Sequence, residues 1–436
     1  MKKCILALNM WLGLVFATQG VLGVEIRVLS LGTALMEVEN TNLSILAARE
    51  GLDQAVQGIR RSRAGLMPHL KAVAGQSRNQ TVTVGLGLEE SGISRQSDPY
   101  SRFNAGISLD VPLVDLASIA SYRESKYISE ISEYEYQAAL EDIKLAVAET
   151  YIGVMRARSA LNLGQKALER AEKLRVITQN RVDAGAGHRI DLMRAKLEVS
   201  SAKQVVVSRK TGAFENELRL KLLLDIDLDV PLELLPVESI ALASDAPCDY
   251  QMVLLNREDY LARLSEEDRA RLLVKAAGWQ RLPSLNAYAD YGYVTEEAFD
   301  NEEEKNWSVG ISFSIPLFEG GKNKAEKAIA RSHLTAVEIR LREVGQSVRN
   351  EVEISKKHLQ EAESSMGLAE ETLELARATF EFALSRFQDG AADNRELIEA
   401  QLGLASAEIN KTDTHLLLEQ GRFRYASAMG DLEQVL

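Results

Sequence analysis

Two interleaved seven-residue repeats place the strongest limit on what this chain can fold into. The stretch from Leu317 to Leu436 contains no proline. Within it, large apolar residues recur every seven positions, and small residues recur at the same interval three places later. This pattern predicts a coiled-coil seam in which the small residues let a neighbouring helix approach closely. The large track is Val352, Leu359, Met366, Leu373, Phe380 and Phe387, and the small track is Ala362, Ala369, Ala376 and Ala383.

The helix that carries this seam must be very long. At about 1.5 Å per residue, the run from Gly320 to Phe387 would span about 100 Å, far more than a helix of an ordinary globular domain. Gly390 interrupts the run, and a second helical pattern follows it. We therefore predict two helices folded back on each other at Gly390.

The same pattern occurs about 205 residues earlier, which predicts an internal duplication with a period near 205. Gly185 there takes the place of Gly390. We predict a first repeat at 24–224, an irregular connection at 225–249 that holds three prolines, and a second repeat at 250–436. The earlier large track is Val147, Val154, Leu161 and Leu168, and the earlier small track is Ala157, Gly164 and Ala171.

Each predicted repeat also contains a helix and two strands ahead of its helical hairpin. The strands alternate apolar residues with Ser, Gly and Asn, and prolines close two of them, Pro112 and Pro316. The long helix of the first repeat is predicted from Ala117 to Val182. The first predicted strand starts at His69, and the second spans Phe103 to Val111. The third starts at Leu285, and the fourth spans Trp307 to Ile315. The helical patterns that precede each pair of strands run from Leu29 to Met67 and from Tyr250 to Gln280.

Strands of about ten residues with one apolar face are typical of a membrane β-barrel. Four strands cannot close a barrel, and an open sheet edge is not tolerated in lipid. If these strands span a membrane, several chains must share one barrel. The alternative that the pattern leaves open is a soluble two-layer sheet. The predicted fold class is an α+β membrane protein, in which a long α-helical coiled-coil barrel joins a transmembrane β-barrel assembled from four strands per chain.

The N-terminus has the pattern of a secretory signal, which we place at residues 1–23. Lys2 and Lys3 precede a short apolar stretch, Ile5 to Phe16. A buried N-terminal helix is the alternative. The remaining chain has no run of about 18 apolar residues, so we predict no transmembrane helix. The net charge of -13 argues against a nucleic-acid partner.

No pattern in the sequence indicates catalysis, so we predict that the protein is not an enzyme and binds no cofactor. The five histidines are scattered, mostly among charged residues. After signal cleavage only Cys248 remains, which excludes a cysteine cluster for zinc. Gly185 and Gly187 are explained by a tight turn between helices rather than by a phosphate loop.

In these features together the chain resembles the TolC-like outer-membrane efflux family (outer membrane factors). The resemblance covers nearly the whole mature chain. It implies a homotrimer with a roughly twelve-stranded outer-membrane barrel and a long periplasmic helical tunnel, in a Gram-negative-type bacterium. It also implies a periplasmic adaptor protein and an inner-membrane pump as partners. The motifs are Val111-Pro-Leu113, Ile315-Pro-Leu317, the turn segments Arg181–Gly185 and Arg386–Gly390, and the following segments Asp191–Ala195 and Glu396–Ala400.

The resemblance further implies an acidic gate just past the helix tips. Glu396 and Glu399 share one helix face, and Asp191 occupies the comparable place in the first repeat. In a trimer these carboxylates would form rings that favour cations and are neutralised by metal ions or protons. The alternative is ordinary acids in the first turn of a helix. Some family members have a basic residue two positions after the second tip glycine, where it helps to lock the closed state. This chain has Ala392 at that position.

Two functions are compatible with this sequence. The first is a channel-tunnel of a tripartite efflux or secretion system, which conducts passively from an inner-membrane pump. The second is a periplasmic coiled-coil scaffold or adaptor with no channel activity. For the channel, the acidic loop Thr295 to Asn306 would face outside the cell, and the adaptor would contact the helix tips. The predicted tip residues are Asp183, Gly185, Arg189, Asp389, Gly390 and Arg395.

Overall fold

The computed structural model describes residues 26–80, 82–84, 94–96, 98–237, 249–296, 304–389, 391 and 394–432. The predicted signal at 1–23, Gly390 and Ala392 lie outside the described residues, as do Cys248 and parts of the predicted connection and acidic loop. The elements in chain order are β1 (Arg27–Leu29), α1 (Leu31–Thr41), α2 (Leu43–Ala64), β2 (His69–Asn79), β3 (Val82–Val84), β4 (Ser94–Gln96), β5 (Tyr100–Val114), α3 (Leu116–Asp183), α4 (Arg189–Leu223), β6 (Leu232–Leu234), α5 (Tyr250–Asn256), α6 (Glu258–Trp279), β7 (Ser284–Thr295), β8 (Glu304–Ser314), α7 (Lys322–Gln388) and α8 (Asn394–Ala428).

Two long helical hairpins dominate the molecule. Helix α3 has 68 residues and packs against α4, and α7 has 67 residues and packs against α8. Each long helix therefore spans about 100 Å, and its ends lie within two residues of the predicted ones. The seam of the second hairpin is buried at Val352 and Leu359, which pack with Leu418 and Tyr425 of α8.

The start of α3 follows from its first residues. The Asp115 carboxylate accepts hydrogen bonds from the backbone N–H groups of Ala117 and Ser118, at 3.0 and 3.3 Å. These bonds satisfy donors that have no partner within the helix. Although burial alone would raise the pKa of Asp115, these bonds and one from the Ser118 hydroxyl hold that pKa below its usual value.

Four strands form one antiparallel sheet in the order β2-β5-β7-β8. The register pairs Gly106 with Gly292 and Ile107 with Tyr291 in β5 and β7. The prediction that Pro112 closes a strand is wrong, because β5 continues to Val114. The register shifts between Pro112 and Val114, and such an irregularity accommodates a residue that has no N–H to donate. Strand β8 does end before Pro316, at Ser314.

The shorter helices are more broken than their periodicity predicts. The helical pattern from Leu29 to Met67 divides at Asn42, whose side-chain oxygen caps α2 and whose amide donates to the Leu223 carbonyl at 2.8 Å. The pattern from Tyr250 to Gln280 also divides, at Arg257, although the Arg257 side chain does not cap the helix that follows. In both places the apolar spacing continues across the break, so periodicity alone does not detect it.

The predicted irregular connection at 225–249 is partly regular in its described portion. Strand β6 pairs in parallel with β1, and Leu29 pairs with Leu234. The fully buried Tyr151 hydroxyl lies 2.9 Å from the Leu29 carbonyl and 2.6 Å from the Leu235 carbonyl. Burial raises the pKa of Tyr151 to about 12. This small sheet therefore fastens the N-terminal segment onto α3.

None of the helices in the described part of the chain combines the length and the apolar character that a membrane-spanning helix needs.

Candidate helix-tip gate

The first hairpin turns through a left-handed glycine. Gly185 has a φ of 73°, a conformation that glycine adopts without steric cost. The N–H of Ala186 donates to the Arg181 carbonyl at 2.9 Å, and that of Gly185 to the Val182 carbonyl at 3.0 Å. These bonds satisfy carbonyls at the end of α3. At the second tip the N–H of Ala391 donates to the Arg386 carbonyl at 2.8 Å, which is the equivalent bond.

An apolar cluster joins the two hairpins next to the tips. It consists of Leu174 from the first hairpin and Ala383, Phe387 and Leu397 from the second, all buried. The Arg181 guanidinium lies 4.4 Å from the centroid of the Phe387 ring, within the range of a cation–π interaction. The tips of one chain are therefore held together by an apolar cluster and by a cation–π contact.

A buried polar pair lies inside this cluster. Asn394 and Thr178 are only 2% and 3% exposed. The Asn394 amide nitrogen donates to the Asp191 carbonyl at 3.1 Å, and its oxygen lies 3.3 Å from the Thr178 hydroxyl. Asn394 thus contacts α3 and α4 from the first residue of α8. Sequence reasoning missed both residues, because they are 216 positions apart; the one available signal was an Asn at the start of a predicted helix.

Each carboxylate of the predicted gate has an arginine partner in its own chain. Asp191 lies 3.5 Å from an Arg194 nitrogen, Glu396 lies 3.3 Å from Arg386 Nε, and Glu399 lies 2.8 Å from Arg395 Nε. Their side chains range from 20% exposed for Asp191 to 62% for Glu399. Sequence reasoning predicted the acids but not that Arg386 bridges the turn from α7 to α8.

The predicted adaptor-contact residues lie at an exposed tip. Asp183, Gly185, Arg189 and Asp389 are exposed, and Asp183 accepts a hydrogen bond from Gln179 at 2.8 Å. Ile190 and Met193 are also exposed there, although the sequence did not single them out. The tip therefore presents charged groups beside an apolar pair.

Among the described residues, no group of three or more His, Cys, Asp or Glu is arranged to hold a metal ion. The candidate gate is thus built from helix ends, paired charges and a buried amide.

Comparison with known proteins gives one consistent family. The family model described as "Outer membrane efflux protein" matches residues 34–224 and 250–430. The alkaline protease secretion protein AprF of Pseudomonas aeruginosa is 23% identical over 390 residues, which cover 86% of this chain and 79% of AprF. The outer membrane protein TolC of Vibrio cholerae is 24% identical over 302 residues, which cover 64% of this chain and 62% of that protein.

The fold agrees with that result. The crystal structure of the CmeC outer membrane channel of Campylobacter jejuni superposes with a TM-score of 0.80 at 18% identity, and covers 92% of this chain and 85% of CmeC. The resemblance drawn from the sequence is confirmed. The chain therefore belongs to the outer membrane efflux protein family and is an outer-membrane channel of the efflux and secretion type.

Proposed function

We propose that three copies of this chain assemble into one continuous duct, with a β-barrel of about twelve strands in the outer membrane and a helical tunnel in the periplasm. The open edges of the four-stranded sheet carry this proposal. Strands β2 and β8 are 11 residues each and form the two edges of the sheet. A row of unpaired backbone N–H and C=O groups along a strand of that length is costly in lipid.

Strand directions support closure by further copies. Every neighbouring pair in the sheet is antiparallel, so β2 and β8 run in opposite directions. The β8 edge of one copy can therefore pair with the β2 edge of the next and continue the antiparallel pattern. Four strands per copy also give the even total that such barrels have.

The short helices support the same arrangement. Helix α6 lies between α3 and α7, whereas the main contacts of α2, its counterpart in the first half, are with α1 and α3. One side of α2 thus lacks the long helix that α6 has. In a closed ring, α7 of a neighbouring copy supplies it.

Helix α7 also exposes an apolar track nearer the tip, beyond the part of α7 that would face α2. Leu368, Leu375 and Phe382 recur every seven residues and are 66%, 62% and 65% exposed. A seven-residue apolar repeat is typical of a helix that packs along another helix. We assign this track to the interface between copies.

We further propose that the tips close the duct and form its contact with a periplasmic adaptor. Asp191, Glu396 and Glu399 would line the narrow end in a threefold ring, and the contact residues would be Asp183, Gly185, Arg189, Asp389, Gly390 and Arg395. The duct performs no chemistry, and an inner-membrane pump supplies the energy. Opening would separate the tip helices and break their contacts.

Conductance tests this proposal directly. The mature protein is purified in mild detergent, its mass is determined, and it is reconstituted in a planar bilayer. We expect a heat-stable trimer that opens small, cation-selective channels which divalent cations block. A species that remains soluble without detergent and inserts no channels would contradict the duct and favour the periplasmic scaffold.

A further inference from the structure

One end of the sheet, where the strands join the helices, carries an unusual charge. This end is called an edge below, and it is distinct from the open edges formed by β2 and β8. The register brings the starts of β2 and β7 and the ends of β5 and β8 to one edge, since His69 pairs with Asp110, Leu285 with Val114 and Ser284 with Ser314. In the proposed assembly this edge faces the periplasm, because the long helices begin there.

Basic residues outnumber acidic ones at this edge. The segments 60–71, 110–118, 281–288 and 314–327 hold eight Lys or Arg and four Asp or Glu, although the whole chain has 51 basic and 64 acidic residues. Two of the four carboxylates are engaged, since Asp115 caps α3 and Glu326 lies 3.9 Å from the Lys322 Nζ. The edge is therefore locally positive on an acidic protein.

Several of these cations are exposed and have no acidic partner. Within the described part of the chain, none of the following five side chains forms an ion pair. They come from the last turns of α2, the approach to β7 and the first two turns of α7: Arg61, Arg63, Arg281, Lys324 and Lys327.

An exposed apolar pair lies beside them. Leu317 and Phe318 are each 89% exposed and continue the exposed apolar face of β8. Their counterparts at the end of β5, Leu113 and Val114, are still 49% and 41% exposed although β5 lies between two strands. Adding a neighbouring copy to the β8 edge would therefore leave part of Leu317 and Phe318 uncovered.

We propose that these five cations, together with Leu317 and Phe318, form a basic collar that binds the phosphate headgroups of anionic phospholipids in the periplasmic leaflet of the outer membrane. This inference rests on the proposed membrane-spanning sheet. Apolar side chains enter the boundary between headgroups and acyl chains, and Lys or Arg beside them attract anionic lipid at short range. The collar would fix how deep the barrel sits.

Lipid retention tests the collar. The intact protein is reconstituted into vesicles of phosphatidylcholine alone or with one-fifth phosphatidylglycerol, and bound lipid is measured by native mass spectrometry after mild extraction. We compare the wild type with a collar variant, Arg63→Gln, Lys324→Gln and Lys327→Gln. The control variant is Lys196→Gln, Lys210→Gln and Lys357→Gln, which removes equal charge from the long hairpins, away from this edge. Each collar charge lost should weaken phosphatidylglycerol retention about fivefold, and the control should match the wild type.

The outcomes separate this inference from the proposed duct. Equal retention of both lipids by a wild type that inserts and conducts would overturn the collar alone. An equal loss in the control variant would overturn it as well, since general charge would then explain binding. Displacement of the lipid by inorganic phosphate at constant ionic strength would assign the cations to free phosphate and contradict a lipid collar. Failure to insert into either vesicle would overturn the duct and the collar together.

Discussion

At the scale of single residues, the contact between Thr178 and Asn394 at the tip can break without leaving either polar group unpaired. The Thr178 hydroxyl lies 2.9 Å from the Leu174 carbonyl of its own helix as well as 3.3 Å from the Asn394 oxygen. If the hairpins separate, the Thr178 hydroxyl still donates to the Leu174 carbonyl, and the Asn394 oxygen accepts a hydrogen bond from water. In the proposed duct this contact would therefore favour the closed tip at a modest cost to opening.

Thr178→Val removes the hydroxyl and keeps the shape of the side chain. In the closed tip the variant leaves the buried Asn394 oxygen without this donor, which costs about 1–3 kcal/mol, so the ratio of open to closed tips should rise at least about fivefold. Single-channel open probability measures this ratio. Thr178→Ser is the matched control, because it keeps the hydroxyl. An unchanged open probability in Thr178→Val would remove this contact from the closure of the tip.

Replacing both Glu396 and Glu399 with Ala should change the tip conductance and weaken its block by divalent cations. The substitutions remove two negative charges per chain and break the Arg386–Glu396 and Arg395–Glu399 ion pairs, so cation preference should fall. Reversal potentials in a salt gradient and titration with Mg²⁺ measure both effects. Glu371→Ala with Glu374→Ala, on the exposed surface of α7, removes the same charge away from the tip. Identical behaviour of the two double variants would exclude the gate assignment.

Glu258 and Asp259 predict opposite dependences on pH. Burial and the nearby Glu141, Glu133 and Asp259 raise the pKa of Glu258. Its charged form is thus disfavoured on folding, and stability decreases as pH rises toward that raised pKa. Although burial alone would raise the pKa of Asp259, hydrogen bonds and charge from Arg257 lower it, so its contribution is present at neutral pH and is lost as pH falls through the lowered pKa.

Glu258→Gln should therefore raise the midpoint of thermal unfolding at pH 7.5, and the gain should shrink toward acidic pH. Asp259→Asn should lower that midpoint at pH 7.5, with a smaller effect near the lowered pKa. Circular dichroism melts of the detergent-solubilised protein across this pH range test both. Shifts of the same sign in the two variants would contradict the opposite pKa shifts of Glu258 and Asp259.

At the scale of secondary-structure elements, the sequence predicted what depends on repetition and missed what depends on single contacts. The seven-residue repeat placed the ends of α3 and α7 within two residues, because a long buried seam leaves little freedom. It did not predict the breaks at Asn42 and Arg257, where one side chain makes a distant contact. Strands β1 and β6 have only 3 residues each, too few for a detectable alternation.

The candidate site divides in the same way. Gly185 and the acids followed from local pattern, whereas the partners of Asn394 depend on how two hairpins meet. Residues that are 216 positions apart cannot be paired by spacing alone. The arginine partner of Glu396 lies within ten positions, yet only the turn geometry brings Arg386 to it.

The pairing of β5 with β7 depends on two facing glycines. A Cβ at Gly106 would lie 2.7 Å from the Tyr291 carbonyl oxygen, and one at Gly292 would lie 2.6 Å from that of Ala105. Backbone atoms cannot move aside as a flexible side chain can. Gly106→Ala should therefore separate the strands locally and reduce the yield of heat-stable oligomer at least severalfold on unboiled gels. Gly75→Ala is the matched control, because its Cβ meets only the Asn104 side chain, at 3.4 Å. Equal yields would show that the strands tolerate a Cβ at this pair.

At the scale of the whole molecule, one chain leaves three surfaces unsatisfied that a neighbouring copy would cover together. The sheet has two long open edges, α2 lacks a second long helix, and α7 exposes an apolar track. Any one of these surfaces could instead be covered by lipid or by a different protein. In the ring proposed above, β8 and α7 of one copy would meet β2 and the helices of the next.

Leu375→Glu tests this ring, because Leu375 lies in the exposed track of α7 and makes no part of the buried seam. A carboxylate placed there has no cost in the separated chain, but in a helix interface it loses water without gaining a partner. We expect the variant to keep the helical content of the wild type and to lose at least nine-tenths of its trimer, measured by circular dichroism and by mass in detergent. Leu375→Met, which keeps an apolar side chain of similar volume, should assemble as the wild type does.

A trimer that survives Leu375→Glu would place the α7 track against lipid, adaptor or solvent, and would leave the open strand edges as the main support for assembly. A helical monomer that conducts no ions would tie channel activity to the ring itself, since a single chain has neither a closed sheet nor a lumen of its own.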